Sequence, residues 1–239
     1  GDETIFQKIN KKKINKYLIM KRVIRILNKI QLIKDKKIKN FLNQLYTIKY
    51  YDESKLFNET KIFIDWYVPT KLSKNKLKNF NSKFKKEIKF LLSKLKHKNK
   101  TFVHRDFHVS NLIYKKNNIG LIDNQDALIG NKAYDLASLV DDVRLKTSYQ
   151  FKKKIYDYYL SINKNIKGDN FKNDFEILSV LRNLKIIGIF TRLAKRDNKK
   201  KYLKLIPYAW EMIIFRMNCN KVFNNLNILM KQNFSKIVN

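Results

Sequence analysis

The sequence predicts an α+β fold, mostly α: a helical body with one small β-hairpin near its middle. Three observations predict it. Apolar residues recur at helical spacing through most of the 239 residues, as on a helix that buries one face. From Thr101 to Asp123 that period gives way to short β-branched and aromatic runs. The same region gathers acids: residues 101–145 hold 6 acids and 5 bases, in a chain with 20 acids and 53 bases.

The first hundred residues read as helix. "INKYLIMKRVIRILNKIQLI" and "FKKEIKFLLSKLK" carry apolar stripes, and "ESKLFNETKIFIDWYVPTKL" between them is a shorter helix ending near Pro69. "TFVH", "NLIY" and "IGLID" then read as strands, the last two joined by the turn sequence "KKNN". Helical spacing resumes in "AYDLASLVDDV", "YQFKKKIYDYYLSI", "FEILSVLRNLKIIGIFTRLAKR" and "IPYAWEMIIFRMNC", and a last helix follows residue 222. No repeat or flexible linker interrupts this order.

Composition narrows the function classes. A single cysteine, Cys219, excludes a disulfide framework and a cysteine-built zinc site; it is expected to be a small buried apolar residue in a reducing, cytoplasmic setting. No apolar run reaches the length of a membrane-spanning helix. The net charge of +33 invites a nucleic-acid reading. However, 45 of the 53 bases are Lys and 8 are Arg, with Asn and Ile abundant, the residues of AT-rich codons. Selected phosphate contacts favour the forked guanidinium of Arg. Biased composition therefore accounts for the charge, and neither nucleic acid nor membrane is an expected partner.

Asp106 and Asn111 lie five residues apart on a loop between two strands, and Asp123 closes the next strand. A hairpin of 111–114 and 119–122 has its turn at the far end, so Asn111 and Asp123 meet at the open end, with Asp106 directed into the same space. Two carboxylates and an amide oxygen are hard donors of the kind Mg²⁺ takes alongside water and phosphate oxygens. The acid not needed for the metal is left to orient a hydroxyl and accept its proton, as phosphoryl transfer requires.

"HRDFHVSNL" followed by "LID" resembles the catalytic loop and metal-binding aspartate of the protein-kinase-like superfamily. The form "IDNQD", with "YDLASLV" downstream, is similar to the aminoglycoside phosphotransferase and choline kinase branch, which acts on small hydroxylated molecules. "GDET", "LFNETKIFIDWYVPTKL", "HRDFHVSNLIY", "IDNQDALIGNKAYDLASLVDD" and "LRNLKIIGIFTRLAKRD" together resemble bacterial kinases of cell-wall amino sugars, which phosphorylate N-acetylmuramate or N-acetylglucosamine. The resemblance implies ATP and Mg²⁺, with Asp106 as catalytic base and Asn111 and Asp123 as metal ligands. It implies Ile113 and Ile122 as the apolar floor under adenine. Asp126 and Asp135 match acids that recur in the family and are expected to brace the loop as hydrogen-bond acceptors first and to contact substrate second, with Arg105 paired to one of them. His104 is expected to be a core histidine bracing the loop in preference to a proton-transfer group.

Such a kinase also needs a small lobe with a glycine-rich phosphate loop. The five glycines, at 1, 120, 130, 168 and 188, cannot build one. The expectation is therefore that 1–239 is a kinase-like large lobe, with 1–5 near the hinge and 101–142 the catalytic segment. The small lobe is expected upstream, as a partner in cis, and the fragment alone is expected to be inactive. Alternatives are an aminoglycoside or choline-like acceptor, a catalytically dead lobe, or a non-catalytic basic nucleic-acid-binding module. Trp66 and Tyr67 are either core aromatics or a stacking platform for a sugar, and Gly188 marks a close helix approach.

Overall fold

The computed structural model describes residues 3–39 and 42–238; Gly1 and Asp2, where the hinge expectation begins, lie outside them. The chain forms two compact units, 1–51 with 97–171 and 52–96 with 172–239. It is mostly helical, with three small sheets among the described residues.

In the first unit, β1 (Glu3–Thr4) leads into α1 (Ile5–Asn10) through a capping box. The Gln7 amide donates to the Thr4 hydroxyl, and the Thr4 amide donates to the Gln7 side chain at 2.8 Å. α2 (Lys16–Gln31) starts on an Asn15 cap and buries Ile19, Met20, Val23, Ile24 and Leu27, the stripe that its spacing predicts. Here the sequence reading fails. Residues expected to continue as helix form a hairpin, β2 (Lys37–Lys39) against β3 (Leu45–Thr47), whose described side chains are all exposed. Charged and apolar residues alternate in Lys37–Lys39 alone, and both strands are too short to be told from helix by periodicity.

The strands around the acid-rich segment appear where expected: β4 (Thr101–Val103), β5 (Leu112–Lys115) and β6 (Asn118–Leu121). β5 pairs with β6 through a turn at Lys116 and Asn117, both with positive φ (45° and 63°), as two-residue turns matched to strand twist require. β1 pairs on the other side of β5. A further strand, β7 (Leu128–Gly130), pairs antiparallel with β4. The Tyr51 amide donates to the Ile129 carbonyl at 2.8 Å, and the Ile129 amide to the Lys49 carbonyl at 2.9 Å, so residues 49–51 extend this sheet. A Cβ at Gly130 would lie 3.1 Å from both Tyr51 and Val103, which keeps this corner small. α5 (Ala133–Val140) and α6 (Tyr149–Ser161) complete the unit. The Tyr159 hydroxyl, whose acidity burial suppresses, donates to Gln31 at 2.6 Å.

The second unit holds α3 (Glu53–Ile62), α4 (Lys74–Ser93), most of α7 (Gly168–Arg196), α8 (Ile206–Cys219) and α9 (Asn224–Val238). The helix expected to run to Pro69 widens first: Phe63–Tyr67 form a π turn in which the Val68 amide donates to the Phe63 carbonyl. Tyr67 and Trp66 do not share one fate. Tyr67 is buried among Phe63, Trp210 and Phe234, and Trp66 is half-buried. Gly188 meets the expectation of close approach. A Cβ there would lie 2.5 Å from the Ile62 carbonyl carbon and 2.6 Å from the Phe63 nitrogen. Cys219, at the end of α8, is exposed, a correction to the expected burial.

Candidate active site

The acid-rich segment lies wholly in the first unit, and its six carboxylates divide into distinct tasks. Asp135, fully buried in the first turn of α5, accepts from two successive loop amides: His104 N–H at 2.7 Å and Arg105 N–H at 3.0 Å. Arg105 has φ +75°, a left-handed conformation that strains a residue with a Cβ. The Asp135 carboxylate, holding the two successive amides that lead into this residue, helps to fix the strained backbone. Asn131 fixes the start of α5 by accepting from the Ala133 amide at 3.0 Å, and so fixes Asp135 in turn.

Arg105 was expected to pair with Asp126 or Asp135. Its Nη1 donates to the Asp126 carbonyl at 3.1 Å and its guanidinium lies 5.2 Å over the Tyr51 ring, so Asp126 contributes a main-chain acceptor. The Asp126 side chain is exposed. His104 is buried, and its Nε2 lies 3.1 Å from the Ile122 carbonyl; with that oxygen as acceptor, Nε2 carries the proton. Burial lowers the pKa of the ring, against the opposing influence of the Ile122 carbonyl, Asp106 and Asp123, so the ring stays neutral and ties the loop to the end of β6.

Asn111 closes the loop. Its Nδ2 donates to the Asp106 carbonyl at 3.1 Å, and its own carbonyl accepts from the Ile122 amide at 3.1 Å, extending the β5–β6 ladder by one step. With Nδ2 committed, Oδ1 is the side-chain atom left as a hard oxygen donor. Asp123 follows directly after Ile122, with φ +69°; one carboxylate oxygen accepts from Gln125 at 2.8 Å and the residue is exposed. Two of the three oxygen-bearing residues thus carry the direct tether, and His104 lies within electrostatic reach of both Asp106 and Asp123. Left-handed non-glycine residues stand at Arg105 and Asp123, on the two sides of the site.

Cross-strand register sets Ile113 opposite Gly120 and Leu112 opposite Leu121. Ile113, Gly120 and Ile122 therefore share one sheet face by alternation. That face is open: Ile122 is 47% exposed and nothing lies within 4 Å of where a Gly120 Cβ would stand.

Asp141 and Asp142 carry structure that sequence reasoning did not separate from chemistry. Fully buried Asp141 lies 3.4 Å from the ammonium of equally buried Lys152, which also donates to the Val140 carbonyl at 2.6 Å. Asp142 accepts from the Arg144 amide at 3.1 Å. Asn131 and the Tyr51–Tyr134 hydroxyl pair, 3.1 Å apart, also support the site and were not foreseen. Asn131 and Tyr134 had only their proximity to the motif as a signal, and Tyr51, about fifty residues upstream, had none. Among the described residues no three His, Cys, Asp or Glu side chains form a metal cage.

Comparison with known proteins adds three findings. Residues 17–163 match the model of the phosphotransferase enzyme family. The chain is 32% identical over 166 residues to an N-acetylmuramate/N-acetylglucosamine kinase of Neisseria meningitidis, covering 66% of this chain and 49% of that protein. A Caulobacter vibrioides protein of the same name is 34% identical over 114 residues (46% and 31%), and one from Pseudomonas aeruginosa 31% over 166 (66% and 48%). The chain thus spans at most about half the length of these curated relatives. Among solved structures it is similar to an amicoumacin kinase in complex with AMP-PNP, Ca²⁺ and amicoumacin, with TM-score 0.45 and 13% identity over 85% of this chain and 79% of that one.

Proposed function

We propose a function from a premise that the matched residues establish: this chain belongs to the phosphotransferase enzyme family. Within that family it is the large lobe of a cytoplasmic kinase that moves the γ-phosphate of ATP to a hydroxyl of an amino sugar, N-acetylmuramate or N-acetylglucosamine. One observation carries the reading. The Asn111 side chain is anchored to the Asp106 carbonyl, and its main chain extends the strand pair whose next residue is Asp123. These contacts support a reading in which the proposed base and the two proposed metal ligands belong to one short constellation. The relatives named for amino-sugar kinases supply the acceptor class.

Asp106 receives the acceptor hydroxyl, orients it towards the γ-phosphorus and takes its proton as the new P–O bond forms and the bond from that phosphorus to the bridging oxygen breaks, releasing ADP. Asn111 Oδ1 and the Asp123 carboxylate are hard, accessible oxygen donors and fit Mg²⁺, which keeps its remaining positions for water and phosphate. When bound there, that ion supplies neutralisation of the charge on the transferring phosphate. Ile113 and Ile122, on the open sheet face, offer the apolar shelf for the adenine ring. Asp135 and His104 hold the loop rigid, so little reorganisation remains at the moment of transfer. A cationic acceptor such as an aminoglycoside is disfavoured, because Asp135, Asp141 and Asp142 are committed to internal partners.

The test is ATP turnover by the natural full-length protein against a panel of amino sugars. Asp106→Asn is expected to lower kcat by about 10²-fold or more. Turnover within about threefold of the parent would sink the assignment of Asp106.

A further inference from the structure

The second unit contains a cleft of about 870 Å³ that nothing in the phosphotransfer reading uses. Its size suits a small organic ligand. Its walls come from the π turn, the end of α7, the start of α8 and the end of α9. Its apolar lining is Leu203, Ile214 and Ile237, which reach solvent, together with the nearly buried Tyr67, Trp210 and Ile206. The Trp210 indole N–H donates to the Tyr67 hydroxyl at 3.1 Å, which locks both rings and leaves the Tyr67 proton to donate. Leu203, 41% exposed, lies at the mouth.

Charge is one-sided around this lining. Lys71, Lys195, Lys200 and Lys236 line the cleft, all exposed, against one carboxylate, Glu211. Among the described residues none of these four lysines forms an ion pair, whereas Lys185 of the same unit holds Glu59 at 2.6 Å. Lys71 arches over the Tyr67 ring at 5.7 Å, placing an ammonium directly above the apolar surface. Lysine is common in this chain, so its number here says little. What matters is the arrangement: unneutralised ammonium groups ring a preformed apolar lining.

We propose that this cleft binds a small organic carboxylate with an apolar ring or chain body, the body against the apolar lining and the carboxylate among the rim lysines. The inference is independent of phosphotransfer, and its test needs neither nucleotide nor turnover.

The probe is 1-naphthoate, titrated calorimetrically into this chain beside 1-naphthylmethanol, a neutral compound of similar shape. Saturable one-to-one binding of naphthoate is expected, with the alcohol at least threefold weaker. The double variant Lys71→Glu/Lys195→Glu should weaken naphthoate about tenfold and shift the alcohol by less than twofold. Both positions are exposed, so the fold is retained, and far-UV circular dichroism verifies it. The control is Lys83→Glu/Lys86→Glu on the exposed side of α4, outside the cleft, which should leave naphthoate within twofold. Any of three results overturns the proposal: no saturable binding, equal binding of acid and alcohol, or equal weakening by the control variant.

Discussion

The two units bury polar side chains in similar number and use them differently. In the second unit they ride mostly on α7, where Asn183 donates to the Ser179 carbonyl and Thr191 to the Ile187 carbonyl, one turn back along a regular helix. The surrounding core is aromatic: Phe63, Phe84, Trp210 and Phe234 meet tilted or edge-on at centroid distances of 5.5–6.1 Å. In the first unit the buried polar groups gather between His104 and Asp142 and brace backbone that no helix or ladder would hold. The second unit has such a contact too, buried Asp174 of α7 accepting from the Lys96 amide at 2.7 Å, but the first unit concentrates several about one loop with a left-handed residue, Arg105. The clustered acids divide in turn. Asp135, Asp141 and Asp142 are held by internal partners, and the chemistry proposed for the segment falls to Asp106 and Asp123.

Single substitutions can break this contrast. The largest effect is expected at Lys152. Lys152→Met strands a buried Asp141 and should cost about 3–5 kcal/mol in urea unfolding, with Lys152→Met/Asp141→Leu recovering most of it. A single variant as stable as the parent would show that the first unit does not depend on buried charge. Asp135→Ala leaves two buried loop amides without their acceptor and should cost about 3 kcal/mol by the same measurement. Fast amide exchange at His104 and Arg105 should accompany that loss. The second unit should instead be sensitive to volume. Gly188→Ala forces a Cβ into the Ile62–Phe63 backbone and should cost about 2 kcal/mol, against a gain for the same change in an open helix.

The smallest effect sharpens the comparison through pH. Burial lowers the folded-state pKa of His104 below its ordinary value, so the unfolded chain binds the proton more readily. The stability contributed by the neutral ring is present above the ordinary histidine range and is lost as pH falls through that range towards the folded value. The parent should be less stable at pH 5.5 than at pH 7.5, and His104→Asn should flatten that slope. An unchanged slope would place the titration elsewhere.

Much of the fold was legible locally. α2, α6 and α8 follow their apolar stripes, and the β5–β6 turn follows from "KKNN". The residues of the candidate site were also legible, because Asp106, Asn111 and Asp123 stand at short fixed spacings about one hairpin. The hairpin β2–β3 was not, since three-residue strands carry no period to read. β7 was missed because its partner β4 lies more than twenty residues upstream.

By itself, then, the sequence determined the helices, the turn and the spacing of the oxygen donors, all of which depend on neighbours within a few residues. Tertiary structure alone decided that Asp135 holds the amides of His104 and Arg105, that Lys152 neutralises Asp141, that Gly188 admits a neighbouring backbone, and that lysines ring an apolar cleft. Each of these joins residues distant in the chain. Their value comes from excluding water and meeting in space, and neither leaves a mark on local order.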